Sequence, residues 1–112
     1  MGKNFKVTYE EIEDILYLGK EEKVKFSLDL ALPSGDIVVD IGSDGKIAGL
    51  EVFNATEFFS MLSKELQNIK DAEIKVIYSP SYTSMSINLE TKKDLVKSSN
   101  LVIPYSKNLA FS

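Results

Sequence analysis

The sequence predicts an α+β fold: an antiparallel β-sheet meander, one amphipathic helix over about residues 55–69, and two to three further strands. Three observations carry this expectation. Apolar and polar residues alternate through the first half, the period turns helical after Phe53, and the alternation returns after Glu73. With 112 residues there is material for one core, so residues 1–112 are read as a single domain.

The elements run in order along the chain. In "FKVTY", Phe5, Val7 and Tyr9 share one face and Lys6 and Thr8 the other. The acidic "EEIED" from Glu10 to Asp14 breaks this strand and leads into "ILYL", which is apolar on both faces and therefore interior to a sheet. "VKFSLDLAL" alternates cleanly, with Val24, Phe26, Leu28, Leu30 and Leu32 on one side and Lys25, Ser27, Asp29 and Ala31 on the other. Pro33, Ser34 and Gly35 supply a turn, and "DIVVDIG" and "KIAGLEVF" flank "SDG" as two more strands.

Beyond them, Phe58, Leu62, Leu66 and Ile69 recur at helical spacing, widened by Phe59 and Met61. Asn54 with Glu57 reads as a capping box at the start of this helix. "IKVIY" and "SMSINL" are strands with Pro80 between them, Thr91 to Lys97 is read as a short helix, and "LVI" before Pro104 as a last strand. In the tail, Leu109 and Phe111 are expected to dock. Phe5–Tyr9 is echoed by Ile74–Tyr78, and Leu30–Pro33 by Leu101–Pro104, so a pseudo-repeat of the first sheet is one reading of the second half.

Composition removes whole classes of chemistry. There is no Cys and no His, and all 13 basic residues are Lys. Thiolate and imidazole catalysis are excluded, as is the bidentate grip of Arg on phosphate. The net charge of −4 argues against nucleic acid, which needs a basic face. No apolar run approaches the ~18 residues of a membrane span, and the N-terminal stretch lacks an apolar signal region. A cytoplasmic location without membrane contact is the expectation.

One stretch resembles a calcium loop. "DIGSDGKIAGLE" puts acids at Asp40, Asp44 and Glu51, with Gly45 at the sharp-turn position. The third ligand position is Gly42, however, and "LPSGDIVV" before the loop is poor helix material. A hairpin through Ser43, Asp44 and Gly45 accounts for the same residues, with Ile37, Val39 and Ile41 lining one face.

The motif residues Tyr9, Asp14, Leu16 and Tyr17, followed by Val39, Asp40, Asp44, Gly45, Gly49, Glu51, Asn54, Ala55 and Thr56, resemble the pattern of domain-of-unknown-function family 2283 over about residues 7–60. Gly42 departs from the family's usual Asp, and Ile12 from its usual acidic residue. The resemblance implies a β-rich sheet followed by a helix and brings no activity or catalytic residues. Family members encoded beside small toxin-like proteins make an antitoxin-like role, with a small protein partner, one implication.

The functional expectation is a non-catalytic, self-associating interaction module with no catalytic, cofactor-binding or metal-binding residues. One helix covers only one face of a sheet whose "ILYL" strand is apolar on both, so either the C-terminal strands fold back as a second layer or a second copy supplies the cover, and a homodimer is the expectation. The alternative from another class is a metal-dependent enzyme built on Asp40, Asp44 and Glu51, although in a hairpin Asp40 and Glu51 need not share a face.

Overall fold

The computed structural model describes residues 3–19, 23–32 and 35–104. Two antiparallel sheets pack around one core, joined by two short helices. The strands are β1 (Lys3–Asn4), β2 (Lys6–Glu10), β3 (Ile15–Gly19), β4 (Val24–Leu32), β5 (Gly35–Gly42) and β6 (Ile47–Phe53), then β7 (Ile69–Tyr78), β8 (Tyr82–Thr91) and β9 (Val96–Pro104). The helices α1 (Ala55–Phe59) and α2 (Ser63–Leu66) lie between β6 and β7.

The first sheet has five strands in the order β2-β3-β6-β5-β4. It is therefore not a simple meander. β6 returns from the β4-β5-β6 run to sit beside β3, so β3 and β6 are both interior, as the two-faced "ILYL" requires. Leu16 and Leu18 pair with Val52 and Leu50, and all four are fully buried. Ile37, Val39 and Ile41 line the same inner face.

The second sheet, β1-β7-β8-β9, covers that face with Ala72, Ile74, Met85, Ile87, Leu89 and Leu101. Along β8 its outer face is polar, with Ser84, Ser86 and Asn88 alternating with the buried set, while Ile77 and Val102 stand exposed on either side of Ser84. β1 belongs to the second sheet and β2 to the first, and the Phe5 amide between them donates to the Ala72 carbonyl at 3.0 Å. One short run of chain thus changes sheets and joins them along one side. The two sheets have different strand orders, so Phe5–Tyr9 and Ile74–Tyr78 do not occupy equivalent places and a repeat is not seen.

The expected helix over 55–69 is broken in two. α1 ends at Ser60, which takes a left-handed φ of 53°. The Ser60 amide donates to the Glu57 carbonyl and the Met61 amide to the Thr56 carbonyl, a Schellman pair that closes the helix after five residues. The physical reason is burial. Phe59 and Met61 are both in the core, yet two residues apart in a straight helix they would diverge by about 200°. The break turns both inward and leaves Leu62, expected in the apolar stripe, 59% exposed. Ile69 belongs to β7.

Nor is Thr91 to Lys97 a helix. It is the β8–β9 hairpin: the Thr91 amide donates to the Leu95 carbonyl, the Leu95 amide donates to the Thr91 hydroxyl, and Asp94 is left-handed at φ 61°. The final strand is longer than "LVI", running over the nine residues of β9. The Pro33–Ser34 part of the expected turn, and Leu109 and Phe111 of the tail, lie outside the described residues.

The apparent calcium loop is the β5–β6 hairpin. Strands, not helices, flank it, and Gly45 sits at φ 78°. The Gly45 amide donates to the Gly42 carbonyl and the Gly42 amide to the Lys46 carbonyl, while the Asp44 carboxylate accepts from the Lys46 amide at 3.0 Å. Gly45→Val is expected to cost about 1 kcal/mol or more, because a β-branched residue resists positive φ. An unchanged midpoint in denaturant unfolding would place the strain elsewhere.

Candidate functional site

A concavity lies between the sheets at the end where the β5–β6 and β7–β8 hairpins meet. It encloses about 750 Å³. Val39, Ile41 and Ile47 form its wall from the first sheet, and Tyr78, Thr83 and Met85 its wall from the second. Phe26 on the edge strand β4 and Pro80 in the β7–β8 turn stand at its mouth with Lys25, Asp44 and Lys46.

Two β-bulges shape this end of the first sheet. The β4–β5 register shifts between Val24 and Phe26, and the β5–β6 register between Asp40 and Ile41. A bulge sets two residues against one and re-aims a side chain. Strict alternation would send Lys25 to the face opposite Phe26; with the extra residue, Lys25 and Phe26 both line the cleft. The second bulge likewise lets the consecutive residues Ile47 and Ala48 both be buried.

Of the three carboxylates of the calcium-like stretch, Asp44 borders the cleft and the other two lie elsewhere. Asp40 pairs with Gly49 and Glu51 with Val38, so Asp40 and Glu51 do share a face, the outer one, while Asp44 stands apart on the hairpin. Asp40 accepts the Ser27 hydroxyl at 2.6 Å. Partial burial, with the charges of Asp40 and Asp29, pushes the Glu51 carboxyl above the usual range. Among the described residues no three acidic side chains cluster closely enough to hold a metal ion.

A raised carboxyl favours folding while protonated, and that contribution is lost as pH rises through its folded value. At neutral pH the Glu51 charge is therefore a cost. Glu51→Gln is expected to stabilise by roughly 0.5 kcal/mol at pH 7, the scale of a like-charge cross-strand pair, and to have no effect near pH 3. Equal effects at the two pH values would remove charge as the cause.

The remaining motif residues converge on one structural clasp. Asp14, left-handed at φ 56°, ends the turn before β3 and aims its carboxylate at the start of α1. It accepts the Thr56 amide at 3.1 Å, the Thr56 hydroxyl at 2.6 Å and the Tyr9 hydroxyl at 2.6 Å. Its carbonyl takes the Ala55 amide at 3.0 Å. The expected cap residue, Asn54, is itself left-handed and makes no side-chain cap bond. Asp14 caps the helix from 42 residues upstream. Burial alone would raise its carboxyl, but the Thr56 and Tyr9 hydrogen bonds outweigh this and hold it below the usual range. Burial, followed by the bond to Asp14, pushes the Tyr9 hydroxyl up.

Residues 6–55 match the family described as "Protein of unknown function (DUF2283)". Over these residues the chain is similar to that family. A protein of Methanosarcina mazei named "Putative hypoxanthine phosphoribosyltransferase" is 28% identical over 83 residues, which cover 74% of this chain and 64% of that relative. The chain thus aligns with less than two thirds of the relative's length. No solved structure gives a significant match.

The DUF2283 segment coincides with the five-stranded sheet, β2 through β6, and stops at the first residue of α1. Tyr9, Asp14, Ala55 and Thr56 are the clasp that ties this sheet to the helix. The second sheet lies outside the matched segment apart from being joined to it at Phe5. The cleft takes one wall from each part. Sequence reasoning misses it, since its lining residues are scattered apolar positions on separate strands. The second missed feature, the Asp14 cap, has a signal: an Asp after a strand together with Asn-Ala-Thr before a helical stretch, both within one family pattern.

Proposed function

We propose that the chain is a non-catalytic interaction module, working in the cytoplasm, whose binding site is the cleft between its two sheets. The observation that carries this reading is the apolar wall contributed by both sheets around about 750 Å³, within the ~300–1,000 Å³ of small-molecule sites. Tyr9, Asp14 and Glu51, whose protonation is displaced, do not line it. Two of them serve the clasp, and Glu51 lies on the outer face. No helix among the described residues is long and apolar enough to cross a membrane.

The relative's name carries no nucleotide chemistry into this proposal. A helix N-terminus is a ready site for phosphate, but α1 is five residues long and its start already holds the Asp14 carboxylate. The test is a titration with decanol monitored by NMR of the Met85 methyl group and the amides of Ile41 and Ile47. Saturable shifts confined to these positions support the reading. Shifts absent, or spread over the whole chain, overturn it.

Self-association into a homodimer is a second reading, favoured by the edges. β4 and β9 stand at the ends of the two sheet orders, each nine residues long. Val24 and Phe26 on β4, and Val96 and Val102 on β9, are 44–61% exposed. Unpaired edges of this length are templates for pairing. A sheet face needing cover is no ground for a dimer, because β7–β9 cover it within the chain, so edge pairing is the remaining one. Light scattering at micromolar concentration decides: twice the chain mass supports it and the single-chain mass sinks it.

A further inference from the structure

Deepening the proposed binding role, and resting on it, we propose that the cleft takes a single-headed amphipathic anion of fatty-acid type, its apolar chain between the sheets and its head between Lys25 and Lys46. The register places these two lysines together. At the end of β5, Gly42 pairs with Val24 on one side, and its amide donates to the Lys46 carbonyl on the other at 2.8 Å. Lys25 and Lys46 therefore flank the same strand end, at the mouth of the cleft that both line.

The bulge makes this more than an accident of surface lysines. Without the register shift between Val24 and Phe26, Lys25 would stand on the outer face with Ser27 and Asp29. With it, Lys25 lines the cleft next to Phe26, on the apolar side of an edge strand. Bulges that re-aim a side chain gather next to binding sites. The described ion pairs, Lys70–Asp94 and Lys75–Glu73, involve neither lysine. Asp44, the one acid among the described residues at the mouth, has a carboxylate oxygen that accepts the Lys46 amide. Among the described residues the mouth thus carries two lysines and one acid, in a chain whose net charge is −4. Inside, Val39, Ile41, Ile47 and Met85 suit an alkyl chain, with the Tyr78 and Thr83 hydroxyl-bearing side chains beside them on the second sheet.

The experiment compares decanoate with decanol on the full chain, reading the Met85 methyl shift, for the wild type and for Lys25→Met and Lys46→Met. Decanoate is expected to bind at least about tenfold more tightly than decanol, the scale of one hydrogen bond to a charged group. Each substitution is expected to lower decanoate affinity by a similar factor and leave decanol affinity unchanged. The unchanged decanol binding also shows that the variants are folded. Equal affinity for the two probes in the wild type overturns the anionic head while the cleft reading stands. Failure of both to bind overturns the cleft reading and this inference with it.

Discussion

Asp14→Ala is expected to lower the unfolding free energy by about 3 kcal/mol, of which a lost helix cap accounts for ~1–2 and a left-handed alanine for ~1. The side chain accepts three hydrogen bonds from Thr56 and Tyr9, and its backbone sits at φ 56°, where Asp is tolerated and Ala is strained. Asn at this position keeps the left-handed tolerance and one acceptor, so Asp14→Asn is expected to cost clearly less than Asp14→Ala. The acid side separates charge from shape. Because the folded carboxyl is depressed, its contribution is present above the ordinary carboxylate range and is lost as pH falls through the folded value. The gap between wild type and Asp14→Asn should therefore shrink from pH 7 to pH 3. Denaturant unfolding of both variants checks this, and a cost of under about 1 kcal/mol for Asp14→Ala at pH 7 would mean the clasp is ornamental.

Gly49→Ala is expected to cost about 2 kcal/mol, in the range of overpacked interiors. A Cβ built there would lie 2.8 Å from the Leu18 carbonyl oxygen, which belongs to the backbone of the adjacent strand β3 and cannot swing aside. Asp40 Oδ2 would stand 3.4 Å away on the other flank. A glycine inside a strand often marks a close backbone approach. Here the approaching backbone is the neighbouring strand itself, with Gly19 as the partner of Gly49 in the β3–β6 register. Thermal unfolding measures the effect. A melting point within about a degree or two of wild type, against the ~4 °C or more that 1 kcal/mol shifts a domain this size, would show that β3 can move to admit the methyl group.

Strands are legible in the sequence wherever burial has a period of two. The alternation in "DIVVDIG" and "SMSINL" matches β5 and β8 closely, because each has one face on the core and one on solvent. The helix is not legible. Phe58, Phe59, Met61, Leu62 and Leu66 satisfy a helical stripe on paper, and Ser60 carries no glycine signal for a left-handed stop. The need to bury Phe59 and Met61 together, which breaks it, exists only once two sheets enclose them. The Thr91–Lys97 segment misleads for a similar reason: Thr91 and Leu95 close a hairpin whose strands are held by the opposite sheet.

Local chemistry decided the hairpin at Gly45, the interior place of "ILYL", and the absence of thiol, imidazole and guanidinium chemistry, since each depends on residue type or on neighbours in the chain. The family resemblance is also readable there, because its motif is a fixed linear spacing. Tertiary structure alone decided the strand order that inserts β6 beside β3, the capping of α1 by Asp14 rather than Asn54, and the cleft with Lys25 turned toward it. Each of these joins residues distant in the sequence through strand register. A bulge of one residue reverses which face a side chain meets, and nothing in the alternation of "VKFSLDLAL" announces it.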